Sequence, residues 1–367
     1  MIGIKIGKVK EILKTTKNTS ELLVDIQGEV FKSINYNNLT GAANIGDILL
    51  INTTAVDLSL GTGGFHFVIS NLNHPNRSIT DGGHIMKLRY SPYQLKVFAA
   101  EEQGSKYHEI FNDFQSLYGL PVIIGTLHSM LLPILETVKG MNSDLRITYI
   151  MTDGAALPID LSNTVRELKA KGSLDSTITI GNAFGGDLDC VNIYNGLIAA
   201  KEILKCDLAV VTMGPGIVGT GTKYGFSGIE QGTIIDAVNN LGGIPIAVPR
   251  ISFTDKRKRH FGISHHSITV FSEISKSSSI IGIPLFTDKK KNNLIHLQIK
   301  EAGIDEKHKV TFINSNRVDR ITEMLDQSKE KMITMGRSYD VEKEFFITAG
   351  TAGEIAVSLL SDRQSAT

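Results

Sequence analysis

Short stretches of alternating apolar and polar positions dominate the start of the chain. Residues 21–27 place three aliphatic side chains on one face at period two, and a turn signal follows at Gly28. Two further apolar runs, 48–51 and 65–69, are bounded by Asn, Gly and Asp. Several short strands separated by turn residues predict a small β-barrel or a β-meander over residues 1–80.

The pattern changes near residue 120, where continuous apolar runs alternate with longer stretches of helical periodicity. The predicted strands are 121–125, 146–151, 177–180, 208–212 and 244–248, and the predicted helices are 127–138, 161–171, 191–204 and 228–241. Pro133 implies a kink in the first of these helices or a later start. Strands that are apolar throughout and alternate with helices predict a parallel sheet covered on both faces. Residues 81–367 are therefore expected to form a doubly wound, mainly parallel α/β domain of the Rossmann-like type.

The pattern is less regular after about residue 250. The expected elements there are strands at 281–286, 294–299 and 310–313, a charged surface turn at 289–293, a helix over 318–331 and a last unit at 345–354.

The most informative stretch of the sequence runs from Met213 to Gly232 and contains seven glycines in twenty residues. Glycine has no side chain to bury, so such a stretch is typical of a loop whose backbone turns sharply or approaches a ligand. Exposed N–H groups at the end of a buried strand bind anions. We therefore expect the loop 214–228 to hold an anion, and a flexible surface loop is the alternative. The expected contacts come from Gly214, Gly216, Gly219, Thr220, Gly221, Thr222, Lys223 and Ser227, with Arg250 at the next strand end adding positive charge.

Two nucleotide-binding signatures fit this loop poorly. It contains the string G-x-G-x-x-G at 214–219, but a helix is plausible only after Ser227. The acidic residue that a dinucleotide fold carries about 20 positions later is absent. NADP, whose 2′-phosphate Arg250 could meet, is therefore the less favoured cofactor. The absence of a GKS or GKT string excludes a P-loop.

Acidic residues follow two other predicted strands. Asp153 comes shortly after the strand 146–151, and Asp187 follows two glycines in the loop after 177–180. Carboxylates that converge with phosphate oxygens suit Mg²⁺ or a similar divalent cation. Both residues are therefore candidate catalytic groups and metal ligands. The alternative is that Asp153 caps a turn and Asp187 caps the following helix.

Two adjacent histidines, His265 and His266, are candidates for a general acid or base. Adjacent side chains on a helix or strand point in different directions, so we expect at most one of them to enter a given site. This expectation disfavours a two-histidine metal centre. The basic run 255–259 is either a solvated loop or a group of charges that neutralises a polyanionic ligand.

The overall composition limits the classes of partner. Lys plus Arg equals Asp plus Glu at 38 each, which makes nucleic acid or an anionic membrane an unfavoured partner. No apolar run approaches the ~20 residues that span a bilayer. With only Cys190 and Cys206, the sequence predicts a reduced, cytoplasmic setting. It leaves a homo-oligomer open.

Several strings together carry a resemblance to a family. These are Asn52-Thr-Thr-Ala-Val56 with LGTGG, then GPGIVGTGT with GFSGIEQ, and GISHHS. They resemble an uncharacterised bacterial family, a domain of unknown function of about this whole length, and that resemblance implies no activity. From the residues alone, our hypothesis is an enzyme that acts on a small phosphorylated or nucleotide-like metabolite, with metal assistance. The alternatives are a non-catalytic nucleotide sensor or assembly module, and an NADP-dependent oxidoreductase.

Overall fold

The computed structural model describes residues 1–61, 63–79, 82–155 and 157–366. Contacts divide the chain into two compact units, Met1–Lys96 and Val97–Thr367. Within the described ranges, no helix combines the length and the apolar composition that crossing a bilayer requires.

The first unit contains a closed five-stranded barrel, which confirms the barrel prediction. Its strands are β1 (Ile4–Thr15), β2 (Thr19–Ile26), β3 (Glu29–Tyr36), β4 (Ile48–Asn52) and β5 (His66–Asn71), with short helices α1 (Asn37–Thr40) and α2 (Thr54–Asp57). The strand order is β1-β2-β3-β5-β4, and β3 and β5 run parallel. The aliphatic side chains at period two in β2 point into the barrel, where Leu22 and Val24 are fully buried with Leu49 and Ile51. Two short strands, β6 (Ile85–Lys87) and β7 (Leu95–Val97), follow and pair with each other.

The second unit is built on an eight-stranded sheet in which every neighbouring pair is parallel, as the continuous apolar runs predict. The order across the sheet is β11-β10-β9-β12-β8-β13-β16-β17. Its strands are β8 (Pro121–Ile124), β9 (Ile147–Thr152), β10 (Ser176–Thr179), β11 (Leu188–Asp189), β12 (Leu208–Met213), β13 (Ile244–Ala247), β16 (Ile280–Pro284) and β17 (Lys309–Ile313). Two two-stranded sheets complete the set: β14 (Ile251–Ser252) with β15 (Gly262–Ile263), and β18 (Ile333–Thr334) with β19 (Arg337–Ser338).

Helices cover both faces of the sheet. They are α3 (His108–Asn112), α4 (Leu131–Met141), α5 (Asn163–Ala170), α6 (Ile193–Ile198), α7 (Glu230–Asn240), α8 (His265–Thr269), α9 (Lys289–Glu301), α10 (Ile304–Lys307), α11 (Ser315–Asp326) and α12 (Lys343–Ala366). Residues Ala199–Ile203 and Val270–Ile274 continue α6 and α8 as π-helical turns. Ile123 packs into the core beneath α4, α11 and α12, whereas its neighbours Val122 and Ile124 pack into the core on the other face. Burial of consecutive residues on opposite faces explains why these strands read as unbroken apolar runs.

The structure corrects the prediction for residues 289–299. Neither the charged turn nor the strand forms, because the whole segment belongs to α9. Asp288 caps the helix by accepting a hydrogen bond from the Lys290 backbone N–H. The buried positions of α9 are Ile295 and Ile299, which are four residues apart. Leu297 lies between them, so the three apolar residues read as the period-two pattern of a strand. The alternative of a later helix start near Pro133 is confirmed, since α4 begins at Leu131 and holds the proline in its first turn.

Candidate functional site

The candidate site is a cavity of about 350 Å³ in the second unit. Parallel strands place all their carboxyl ends at one edge of the sheet, where ligands of open α/β sheets bind. The cavity lies among the loops that follow β8, β12 and β13. It is lined by Thr126, Leu127, Ile217, Val218, Gly219, Gly221, Phe226, Gly228, Arg250, Arg257, Arg259, His260, His266 and Met335. Part of the predicted glycine loop, Arg250 and His266 thus come together here.

The glycine-rich loop folds into a small hairpin. Gly219 and Phe226 face each other in an antiparallel bridge. Ser227 holds this hairpin closed, because its backbone N–H donates to the Val218 carbonyl at 2.9 Å and its Oγ accepts from the Val218 N–H at 3.0 Å. The hydroxyl of Thr220 lies 2.9 Å from that of Thr222 and donates to the Gly225 carbonyl at 3.1 Å. The predicted hydroxyl ligands therefore stabilise the hairpin and do not line the cavity.

Lys223 at the tip of the hairpin is also engaged elsewhere. Its Nζ lies 2.5 Å from a carboxylate oxygen of Glu273. The Tyr224 hydroxyl donates to the other oxygen of the same carboxylate at 2.6 Å. These contacts tie the tip to the π-helical turn after α8 and leave the cavity without the Lys223 charge.

Two glycines of the hairpin face the opposite wall of the cavity. A Cβ at Gly219 would lie 3.4 Å from Cε1 of His266, and one at Gly221 would lie 3.5 Å from Nη2 of Arg259. Gly221 also has a φ of +81°, a left-handed conformation that glycine adopts readily. By contrast, a Cβ at Gly214 would meet Met151 and one at Gly216 would meet Ala155. Gly219 and Gly221 are therefore the positions where a side chain would enter the ligand space.

The wall opposite the hairpin is strongly basic. Arg250 is only 7% exposed, and its Nη2 lies 3.1 Å from the Asp255 carboxylate. Arg257 binds the same carboxylate through Nε at 2.9 Å and Nη2 at 2.7 Å. This guanidinium, hydrogen-bonded to Asp255, holds the pKa of that carboxyl well below its usual range. Arg259 makes no hydrogen bond or ion pair with any residue that the structure describes, so its charge remains available.

Three histidines cluster beside these arginines. Each of them contributes one ring nitrogen, and these three nitrogens lie within 4.8 Å of one another; the residues are His260, His265 and His266. Of the two neighbours His265 and His266, only His266 lines the cavity, in agreement with the expectation that at most one of them enters a given site, although their ring centroids are only 4.2 Å apart. Both residues open α8, where consecutive side chains are separated by about 100° around the helix axis and not by the 180° of a strand. The smaller angle allows the two rings to lie next to each other on the same side of α8.

The histidine cluster is held in the neutral form. Burial is the main cause that lowers the pKa of His266 to about 4, and the positive charge of Arg250 adds to it. Burial and Arg250 likewise lower the pKa of His260 to about 3. The pKa of His265 is lowered by burial and then by Arg259. Near neutral pH the three imidazoles are therefore uncharged, and each has one nitrogen lone pair that can bind a metal ion.

The two predicted acids lie outside this cavity. Asp153 stands at the carboxyl edge, where one oxygen accepts from the backbone N–H of Asn182 at 3.0 Å and from its side-chain amide at 3.2 Å. Asp187 accepts from the backbone N–H of Thr177 at 2.8 Å and pairs with Lys169 at 2.5 Å. Thr177 is near the amino end of β10, so the structure does not bring Asp187 to the carboxyl edge.

The sequence left two roles open for the basic run 255–259, and the structure places Arg257 and Arg259 of this run in the cavity lining. The run lies between β14 and β15, which pair with each other. Sequence reasoning did not single out His260, which also lines the cavity, or Glu230 at the start of α7. The Thr152 hydroxyl donates to its carboxyl group at 2.6 Å, and burial raises its pKa to about 7. No local sequence signal marks it, because burial comes from the packing of α7 against the sheet.

Comparison with known proteins bears on identity and leaves activity open. No curated protein gives a significant match. A family model described as a protein of unknown function, DUF3866, matches residues 32–353, nearly the whole chain. The resemblance that the sequence strings suggest is thereby confirmed. The chain belongs to the DUF3866 family of proteins of unknown function.

Proposed function

We propose that this protein is an enzyme that acts on a small phosphorylated or nucleotide-like metabolite bound in the cavity. The observation that carries this proposal is the charge of one wall. Arg250, Arg257 and Arg259 line the cavity, and Asp255 is the one carboxylate that pairs with any of them among the described residues. Three positive charges against one negative charge favour an anion of charge near −2.

The three arginines of the wall differ in their contacts and exposure, and these differences support an anion site. Arg250 and Asp255 are both buried and form an ion pair with each other, which fixes the position of the Arg250 guanidinium in the cavity wall. Arg257 is oriented through its two hydrogen bonds to Asp255. Arg259 is exposed and faces Gly221 across the opening. A planar guanidinium with free donors is well suited to bind a phosphate through two parallel hydrogen bonds.

The glycines opposite the arginines support the same proposal. Because Gly219 and Gly221 lack side chains, the hairpin backbone can approach a ligand that rests on His266 and Arg259. The volume of about 350 Å³ is at the lower end of small-molecule sites. It suits a metabolite with one or two phosphates and a small organic part.

Catalysis in this proposal depends on the imidazoles of His265 and His266. Both groups are neutral near pH 7 because burial and nearby arginines lower their pKa. Such groups are weak bases at pH 7, because their pKa lies below it, but a neutral imidazole nitrogen can bind a metal ion, a role that serves a hydrolase or transferase. A sensor that binds the same anion without converting it is the alternative.

Binding by the purified protein tests the proposal. Isothermal calorimetry with inorganic phosphate, pyrophosphate, ribose 5-phosphate and ATP is expected to reveal binding by at least one of them. Arg259→Ala is expected to weaken that binding at least about 10-fold, because a hydrogen bond to a charged group contributes about 1.5–3 kcal/mol. Arg89→Ala, at an exposed arginine of the first unit, is the matched control and should leave binding unchanged.

Turnover separates the enzyme from the sensor. A phosphatase, nucleotidase and transferase panel with Zn²⁺, Mn²⁺ and Mg²⁺ should give a product with the ligand that binds. Binding without any product would support the sensor. A fluorescence shift of reduced NADP on mixing, lost in Arg259→Ala, would instead support the oxidoreductase.

A further inference from the structure

We propose that His260, His265 and His266 form a binding site for a divalent transition metal, with Zn²⁺ as the best-suited ion. The inference deepens the proposed function and relies on it only for the catalytic use of the metal. It replaces the sequence-based expectation of a carboxylate site for Mg²⁺. Imidazole nitrogens suit zinc, copper, iron and nickel, whereas Mg²⁺ prefers oxygen ligands.

The geometry of the cluster is close to that of a three-histidine site. One ligand nitrogen from each histidine lies within 4.8 Å of the other two. Tetrahedral zinc with Zn–N bonds of about 2.0–2.1 Å brings its ligand nitrogens to roughly 3.4 Å from one another. A bound zinc ion would therefore have to draw the nitrogens up to about 1.4 Å closer to one another than they lie in the structure.

Ring nitrogens of two of the three histidines are without a hydrogen bond among the described residues. For His265 this nitrogen is Nε2, which is buried. The His266 ring makes no hydrogen bond with any residue that the structure describes. A buried nitrogen without a partner costs free energy, which a metal–ligand bond removes. One ring of the cluster therefore carries a buried, unsatisfied nitrogen that a metal ion could bind.

The third ligand already has an outer partner. Nδ1 of His260 lies 2.8 Å from the hydroxyl of Ser264, the residue that caps α8. Arg250 Nη1 lies 3.2 Å from the same Nδ1 and can only donate, so Nδ1 accepts this hydrogen bond and the ring proton is on Nε2. Metal binding through Nε2 requires the other tautomer, in which Nδ1–H donates to the Ser264 hydroxyl and Arg250 keeps its ion pair with Asp255.

The nearby arginines determine how the metal and the anion interact. Arg250, Arg257 and Arg259 repel a bare cation, since like charges in a partly buried site destabilise each other. An anion that enters the cavity neutralises the arginines and supplies a fourth ligand. Three protein ligands with an open position are typical of catalytic zinc sites. We therefore expect the metal and the anion to strengthen each other's binding by the same factor.

Metal uptake by the full chain tests the inference. After removal of metal with a chelator, equilibrium dialysis against Zn²⁺ and elemental analysis should give about one equivalent per chain. Co²⁺ in its place should give the visible absorption of a tetrahedral site. His265→Gln and His266→Gln are each expected to weaken uptake at least about 10-fold. The matched control is His296→Gln, an exposed histidine on α9 that should bind metal as the wild type does.

The outcomes distinguish the metal site from the anion site. Circular dichroism first confirms that each variant is folded, and uptake is measured without any phosphate. Wild-type uptake far below one equivalent, or unchanged uptake in folded His265→Gln and His266→Gln, would overturn the metal site. If pyrophosphate still binds the metal-free wild type and depends on Arg259, the proposed function stands without the metal. If metal binds but no phosphate compound does, the metal site stands and the proposed function fails.

Discussion

The imidazole of His266 stacks on the phenyl ring of Phe226, with ring centroids 4.0 Å apart and ring planes 9° apart. Phe226 pairs with Gly219 across the hairpin, and it is only 5% exposed. One stacked pair therefore joins the glycine-rich hairpin to the histidine cluster at the start of α8. The hairpin that borders the proposed anion site is therefore in direct contact with one of the candidate metal ligands.

Loss of this stack is expected to affect the histidine cluster. Phe226→Leu keeps an apolar side chain but removes the ring contact, which contributes about 0.5–1.5 kcal/mol beyond area burial. We expect a modest loss of stability and weaker Zn²⁺ uptake, because His266 is no longer held in place. Urea unfolding and equilibrium dialysis measure the two effects.

A second histidine–phenylalanine stack offers the control. His296 and Phe312 stack with centroids 4.3 Å apart and planes 3° apart, outside the cavity. Phe312 is 37% exposed, so Phe312→Leu should lose less stability than Phe226→Leu, with no change in Zn²⁺ uptake. Equal uptake by the two leucine variants would show that Phe226 does not position His266.

Asp255 is expected to be critical for stability. Its buried carboxylate binds Arg250 and Arg257, so Asp255→Asn leaves two guanidinium groups without their counter-charge. Breaking a buried pair in this way costs about 3–5 kcal/mol. Urea unfolding at pH 7 measures the loss. Asp305→Asn removes the partner of Lys300, which is 75% exposed, and should change stability little. A similar, small effect of both substitutions would contradict this role of Asp255.

Glu230 is expected to make stability fall as pH rises. Burial raises its pKa to about 7, so the folded protein keeps the proton in a range where the unfolded chain has lost it. The folded state binds more protons between about pH 4.5 and 7, and stability therefore decreases across that window. Glu230→Gln has no proton to lose and keeps an acceptor for the Thr152 hydroxyl.

The glutamine variant should therefore be the more stable protein at pH 8, by about 3 kcal/mol, and within about 1 kcal/mol of the wild type at pH 5. Urea unfolding at both pH values measures the difference. Glu301→Gln, at an exposed position in α9, should show no such pH dependence. A difference between wild type and Glu230→Gln that is the same at pH 5 and pH 8 would contradict the raised pKa.

The sequence was sufficient for β8, β9, β12 and β13 because these strands are almost wholly buried and read as largely apolar runs. It did not predict β11, whose two residues are only half-buried. It was insufficient for α9, where a period-two pattern coincided with a helix whose buried positions are Ile295 and Ile299. Local apolar pattern does not distinguish these cases when polar and apolar residues are evenly mixed.

The sequence predicted the edge of the sheet at which the candidate site lies, but only some of the residues that line it. Gly219, Arg250 and His266 line the cavity at the expected edge. Thr220 and Lys223 do not, because hairpin formation uses their polar groups within the loop and on Glu273. The histidine cluster depends on the two-residue pairing of β14 with β15, which is too short to leave a periodic signal.

Ligand binding by Gly219→Val tests the central claim most directly. Valine at this position places methyl groups between the hairpin and His266, where the ligand is proposed to bind. Gly104→Val is the matched control in the same unit, since a Cβ there has no atom nearer than 3.9 Å and the backbone is not left-handed. Calorimetry of the phosphate compound that binds the wild type should show no binding by folded Gly219→Val and full binding by Gly104→Val. Undiminished binding by folded Gly219→Val would contradict the placement of the ligand in this cavity.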